Sequence, residues 1–426
     1  MRYRLVVIVL AALTGLAPAF VSEAVAAPQN PTVIHVDDGA AAGGNGSGER
    51  PYNNLPDAVA AARASSTQVV IKVEPGDYPL SSPLVLDFPV ELRGSNEAVV
   101  APDDPWPTGS IVAGTETRVF ATAAIGSQPL IKIGRSDATV LTGVSISGFT
   151  FQALSAAQEI VLTRVQRYQV ADNVFRAPAN FAFQSNASSG ELTANYFSGV
   201  GTAAIFNGGY PESPSNIVAS GNRAVGNNLG GILLNGASID IPELGDHLQA
   251  VVRDNDLSNN NTGNQGFGLR VFILRRDMGA PGDTQSEAHI DAVIRDNRLV
   301  GNRIGVIVDA GFPYRSVAGV CDPRTYSGTI NLDLFENTLN SSQVAPALIT
   351  FTRFNAALVP SLLPLWQYLH GAKFEISDND GTLASARIDH PATDPFVGPC
   401  PGDETHEALD NTLIYNGVTL PNGRNF

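Results

Sequence analysis

Few residue sets in this chain have the types and spacing that chemistry needs. Two arginines hold equivalent places two residues ahead of a repeated Asn, Arg253 before Asn255 and Arg295 before Asn297, with Asp254 and Asp296 beside them. A second set, Arg270, Asp309 and Arg353, recurs at intervals that could bring all three to one face of a repeating fold. An arginine fork grips a carboxylate or sulfate through two parallel hydrogen bonds. A carboxylate beside it could act as a base, or hold a calcium ion together with other oxygens. That is chemistry for cleaving or epimerising an acidic sugar chain. Arg270, Asp309 and Arg353 are therefore the candidate catalytic residues. Arg253, Arg295 and Trp366 are the candidate substrate-binding residues, and calcium is the one cofactor the acidic groups suggest. The competing reading of the arginines is a surface ladder of Arg–Asp pairs that relieves charge repulsion and contributes little energy.

Histidine is scarce, with six in the chain. Glu287-Ala288-His289-Ile290-Asp291 alternates polar residues along one strand face. Such a set could shuttle protons or bind a metal, and a plain polar strand edge explains it equally well. His247 follows Gly245-Asp246 in a loop-like stretch, and Asp37-Asp38 before a Gly-rich loop reads as a turn cap. There is no Walker loop, no Gly-x-Gly-x-x-Gly after a strand and no Ser/His/Asp triad spacing. Two cysteines cannot build a zinc site alone, and no Cys/His cluster has ligand spacing. A net charge of −15 argues against a nucleic-acid partner.

The elements that must position these residues come from a repeat. A small or acidic residue followed by Asn recurs seven times, at Asn173, Asn195, Asn222, Asn255, Asn297, Asn337 and Asn379, with spacings of 22, 27, 33, 42, 40 and 42. Three residues before each Asn stands an apolar residue, and five before stand Tyr168, Gly190, Ile217, Ala250, Ala292, Leu332 and Phe374. In a strand these two positions share a face and point inward together. The Asn then leaves the strand in a turn, where it tolerates left-handed backbone. Stacked coil on coil, the Asn side chains can hydrogen-bond to one another along the axis. One strand, one turn and one Asn per coil marks a stacked β-solenoid. Phe149 fits the register in place of Asn. A second row is aligned as Phe183, Ile205, Ile232, Leu269, Val306 and Leu348, preceded by Gly or Ala at a tight corner.

These residues resemble the parallel β-helix proteins of the pectin-lyase-like superfamily. Val33-Ile34-His35-Val36-Asp37-Asp38-Gly39, then Arg50-Pro51-Tyr52 and an Ala-rich helix, look like that family's N-terminal cap. Ile71-Lys72-Val73-Glu74-Pro75-Gly76-Asp77-Tyr78 looks like its opening coil. The resemblance covers roughly residues 32–385. It implies an all-β fold, a single-stranded right-handed parallel β-helix of about eight coils with an N-terminal capping helix. It transfers no catalytic residue. The Gly-His-Gly with Arg-x-Lys of the hydrolases, the Trp-x-Asp-His with Arg-x-Pro-x-x-Arg of the lyases, and the Asp-Pro-His of the epimerases are all missing. The fold hosts both enzymes and non-catalytic proteins.

The first 26 residues read as a secretory signal, with Arg2 and Arg4, an apolar core from Leu5 to Leu13, and Ala24-Val25-Ala26 at the cleavage site. The expected organisation is signal 1–26, cap and first coil 27–80, β-helix with insertions 81–385 and tail 386–426. Cys321 and Cys400, in an oxidising compartment, suggest one disulfide. Later coils carry insertions, among them the apolar stretch Asn355–Gly371 with Trp366. Insertions in solenoids gather on one face, often the binding face. The expectation is a secreted or periplasmic monomer, free of the membrane once its signal is removed, whose partner is a polysaccharide. It would cleave an acidic glycan as a lyase or hydrolase. The alternative is a non-catalytic carbohydrate-binding or cell-surface structural β-helix.

Overall fold

Most of the described strands stack into three long sheets of parallel strands. The computed structural model describes residues 31–420, apart from 66, 101–103, 138, 155–156, 177–178, 211–212, 237–246, 261–265, 274–287, 311–327, 340–344, 351–372, 378–386, 390–411 and 416–417. At 100, 273, 288, 309–310, 328–329 and from 345 onward it describes the backbone alone. The first sheet has 14 strands, running from Thr32–Val36 through His247–Arg253, Ala288–Arg295 and Gly328–Phe335 to Thr412–Tyr415, with Val418–Leu420 antiparallel at its end. The second has six, from Gly76–Leu80 to Arg223–Val225, and continues as single bridges through Asp256, Arg298 and Thr338. The third has ten, from Leu84–Leu86 to Arg387–Asp389. Successive strands in sequence visit the first, second and third sheet in turn, which is the path of a parallel β-helix.

The inward rows carry the core. Tyr168, Gly190, Ile217, Ala250, Ala292 and Leu332 stand in one register row, and Val170, Leu192, Ala219, Val252, Ile294 and Leu334 in the next inward row. All but Gly190 are buried. Aromatic rings stack along the axis as well, with Phe175 and Phe197 at 4.6 Å between centroids. At the N-terminal end, helix Leu55–Arg63 starts on Asn54, whose side chain accepts the Asp57 N–H at 2.9 Å. It buries Leu55, Ala58, Val59 and Ala62. The free edge of strand Thr32–Val36 is met by the loop 44–52, through His35 N–H to Gly46 O and Tyr52 N–H to His35 O.

The Asn repeat forms a buried ladder. Each Oδ1 accepts the backbone N–H and side-chain amide of the preceding Asn, at 2.9 to 3.1 Å from Asn173 through to Asn337. Each Nδ2 also donates to a strand-end carbonyl, such as Asn255 to Ala219 O at 2.9 Å. Phe149 takes the place of an Asn above the ladder, its N–H bonded to Asn173 Oδ1 at 3.1 Å. The left-handed residue is the one before the Asn. Asp172, Ala194, Gly221, Asp254, Asp296 and Glu336 all have φ between 52° and 65°. Asp and Gly tolerate that conformation better than most residues, which explains the small or acidic preference.

Two further Asn ladders run at the other corners. Asn227, Asn260 and Asn302 link at the turn into the third sheet. Asn186, Asn207 and Asn235 link where the third sheet ends. The third-sheet alignment read from sequence needs correcting in two strands. Phe183 pairs with Ala204 and Val306 with Ala347, so Ile205 and Leu348 belong to the outward row.

Candidate functional site

The sequence-named residues fall on two different sheets. Arg253 and Arg295 are register partners on the outer face of the first sheet. Each guanidinium sits on the carboxylate of the next residue, Arg253 on Asp254 at 2.7 Å and Arg295 on Asp296 at 2.8 Å. These pairs are substantially exposed, so each is worth only about 0.2–1 kcal/mol. Arg270 lies on the third sheet, paired in register with Leu233 and Ile307. Its guanidinium stacks over the Phe272 ring at 4.3 Å. Asp309 is the register partner of Phe272, so it shares the outward parity of Arg270 one strand on. The neighbouring strand runs Leu348 opposite Ile307 and Ile349 opposite Val308, one residue out from the alignment that grouped Arg353 with them. Arg353, Trp366, Cys321, Cys400, Asn379, the signal segment and the insertion 355–371 lie outside the described residues.

The most organised polar chemistry stands on the first sheet, around the Glu287–Asp291 stretch. Inward residues Leu248, Ile290 and Ile330 anchor three adjacent strands, which turns the residues on either side outward. His247 pairs in register with His289, and their rings lie 5.5 Å apart at 36°. Gln249, Asp291 and Asn331 form the next outward row. Asp291 Oδ2 lies 3.0 Å from His289 Nε2, and Asp291 Oδ1 accepts the Asn331 amide at 2.8 Å. The carboxylate is thus fixed from both sides and in turn fixes the imidazole. His289 Nδ1 has no partner among the described residues, and the ring is about one third exposed, at 32%. Asp333, two residues beyond Asn331, is exposed and unpaired among the described residues. From strand rise and spacing, its backbone stands roughly 8 Å from that of Asp291 across the diagonal.

Sequence reasoning picked out His289 and Asp291 from their alternation. It missed Asn331 and Asp333, which join them only across strands. Among the described residues no group of three or more His, Cys, Asp or Glu could hold a metal ion. What the cluster can do is move a proton. A histidine held through one nitrogen presents the other to a substrate, and a second carboxylate lies within one sugar's reach.

No protein-family model matches the chain, and no curated protein does. Among solved structures it is similar to the DFA-IIIase of Arthrobacter chlorophenolicus A6 in complex with GF2, at 13% identity and TM-score 0.46, covering 84% of this chain and 91% of that one. It is similar also to a rhamnogalacturonan lyase, at 10% identity and TM-score 0.42, covering 84% of each chain. The pectate lyase Pel9A matches at 14% identity and TM-score 0.29, over 88% of this chain and 83% of that one.

Proposed function

We propose that this chain is an exported, monomeric polysaccharide-active enzyme working on the outer face of its first sheet. The observation that carries the reading is the His289–Asp291–Asn331 relay with Asp333 open beside it. His289 gives or takes the proton at the scissile linkage. Asp291 holds its ring, Asn331 holds Asp291, and Asp333 supplies the second carboxylate. Such a pair serves either elimination, with one base removing a proton, or hydrolysis, with an acid and a base flanking the bond. The long solvent-facing side of a solenoid suits an extended polymer.

A second reading has its own support. Arg253–Asp254 and Arg295–Asp296 are satisfied within themselves, as a structural surface ladder would be. On that reading the face binds glycan without cleaving it. The two are separated by incubating the mature protein with acidic and neutral glycans, with and without calcium. Absorbance at 235 nm reports elimination and reducing ends report hydrolysis. Turnover that disappears in His289→Ala supports the enzyme reading. Binding without turnover of any glycan supports the second.

A further inference from the structure

One segment joins this face from far away in sequence. The hairpin of strands Ala98–Val100 and Pro107–Ile111 leaves the helix early and lies along the outer side of the second sheet. Its anchors climb coil by coil. Glu116 meets Arg176 at 3.1 Å, and Gly109 lies against the Tyr196 ring, where a side chain would collide. Asp104 meets Arg223 at 2.7 Å. Arg223 also faces Asp256, a carboxylate only 1% exposed that is shared with Arg298. At the tip, Trp106 Nε1 donates to Asp254 O at 2.7 Å, 148 residues away. Pro105 and Pro107 flank Trp106, and its own N–H is held by Asp104 Oδ1 at 3.2 Å. The indole is therefore rigid, partly exposed, and pinned to the turn that carries Arg253 and Asp254.

That turn is the rim of the proposed active face. Arg295 is four residues along the strand from Asp291, or roughly 13 Å, and Arg253 lies one strand over. An oligosaccharide spans that distance and a monosaccharide does not. The charges along it decide which kind. Arg253 and Arg295 are cancelled by Asp254 and Asp296. Asp333 and Glu336 are exposed without a cation among the described residues, and Asp291 is shared only with His289 and Asn331. The described face is thus net acidic and repels a polyanion. Its Arg–Asp pairs offer donors and acceptors to hydroxyl groups, and the indole offers a flat apolar surface to the C–H face of a sugar ring.

We propose that Trp106, with the Arg253–Asp254 and Arg295–Asp296 pairs, is a distal subsite for a neutral sugar chain whose scissile bond lies at His289. This rests on the active-face reading above and sharpens it. A neutral sugar has no carboxylate to acidify a ring proton, so cleavage is hydrolytic. Asp333 takes a proton from water as its oxygen bonds to the anomeric carbon, the glycosidic C–O bond breaks, and the leaving oxygen takes a proton from His289.

The test compares wild type, Trp106→Phe and Trp106→Ala on xylan, mannan, β-glucan and fructan against polygalacturonate and alginate. Turnover and binding in affinity gels are both read, with melting temperature alongside. The expected result is a preference for one neutral glycan. Trp106→Ala should raise KM about tenfold for long oligomers of it, equal to about 1.4 kcal/mol, leave short ones unchanged, and be rescued by Phe. Preference for a polyuronate overturns the neutral class. A length-independent loss that follows melting temperature overturns the subsite and leaves Trp106 a pin. Binding that depends on Trp106 without turnover sinks the catalytic reading while the subsite stands. No binding to any neutral glycan sinks the subsite.

Discussion

Replacing Asn255 by Ala removes an interior rung of the longest ladder. Its Oδ1 accepts the Asn222 N–H at 2.9 Å and the Asn222 amide at 3.0 Å. Its Nδ2 reaches Ala219 O, Arg253 O and Asn297 Oδ1 at 2.8 to 2.9 Å. The residue is fully buried, so water cannot substitute. Truncation strands the Asn222 N–H and takes the side-chain donor from the Ala219 and Arg253 carbonyls, while Asn222 Nδ2 keeps Leu192 O and Asn297 Oδ1 keeps the Asn255 backbone N–H. One orphaned buried N–H at about 1–3 kcal/mol and two lost hydrogen bonds at about 0.5–1.5 kcal/mol each put the cost near 2–6 kcal/mol. Asn255→Asp is the sharper probe, because it keeps the shape and turns the donor into an acceptor. Its new oxygen would face three existing acceptors. Burial and those neighbours raise the folded pKa of the new carboxyl above its unfolded value. Its cost is therefore least at low pH, where it is protonated and can donate once, and grows as pH rises past the unfolded carboxyl value. Urea denaturation across pH, with hydrogen exchange at the Asn222 amide, reads both effects. An Asn255→Ala variant within 1 kcal/mol of wild type, or an Asn255→Asp variant indifferent to pH, would refute the account of the ladder as mutual satisfaction of buried groups.

Four other outcomes follow from the same geometry. Glu159 is fully buried, its Oε1 accepts only the Ala153 N–H, its Oε2 has no partner, and burial pushes its pKa well above the usual carboxylate range. Stability should thus fall by about 1.4 kcal/mol per pH unit from the unfolded carboxyl value up to the raised folded one, and Glu159→Gln should flatten that slope in urea melts. Ala194 holds φ 52° where four of the other five coils place Asp or Gly, so Ala194→Asn should raise stability by about 0.5–1 kcal/mol, seen as a higher melting temperature. Asp333→Asn and His289→Ala should each cut kcat on the preferred glycan by roughly 10²–10⁴-fold with melting temperature unchanged. Gly109 has φ 77° and abuts Tyr196, so Gly109→Ala should lift the hairpin and cost about 1–3 kcal/mol, with faster proteolysis near residue 106.

How much of this was legible depends on whether a feature repeats. The first ladder announced itself because six successive coils supply the same Asn. The second could have been read from the same rows, since Asn227, Asn260 and Asn302 each stand five residues after a ladder Asn. It went unseen because it spans only three coils. The third-sheet register slipped for a physical reason. Its outward positions Ile205, Leu233 and Ile307 are apolar and half-buried or buried, so alternation no longer marks the face, and a one-residue slip inverts it. That slip placed Ile349 outward with Arg270 and grouped Arg353 with them. The hairpin carrying Trp106 had no sequence signal, because it contacts coils 148 residues away without repeating itself.

The proton relay lies between these extremes. His289 and Asp291 were visible as an alternating pair on one strand. Their partners were visible only once the ladder is used as a ruler. His247 and His289 both stand eight residues before a ladder Asn, and Gln249, Asp291 and Asn331 all stand six before. Asp333 stands four before, where the two preceding coils carry Val251 and Val293. Measured from the ladder, polar residues accumulate at fixed offsets in three consecutive coils, and the row of Asp333, which runs Gln169, Glu191, Val218, Val251, Val293, Asp333 and Glu375, turns from valine back to carboxylate beside the histidine. A solenoid spends its repeat on stacking, so positions that break a row without serving the stack are where function is written. Asp333 ends a run of three valines in the coil next to the His–Asp pair. The outward arginines, by contrast, repeat with their own aspartates and satisfy themselves. On that ground the weight of the catalytic reading moves from Arg270 and Arg353 to His289 and Asp333.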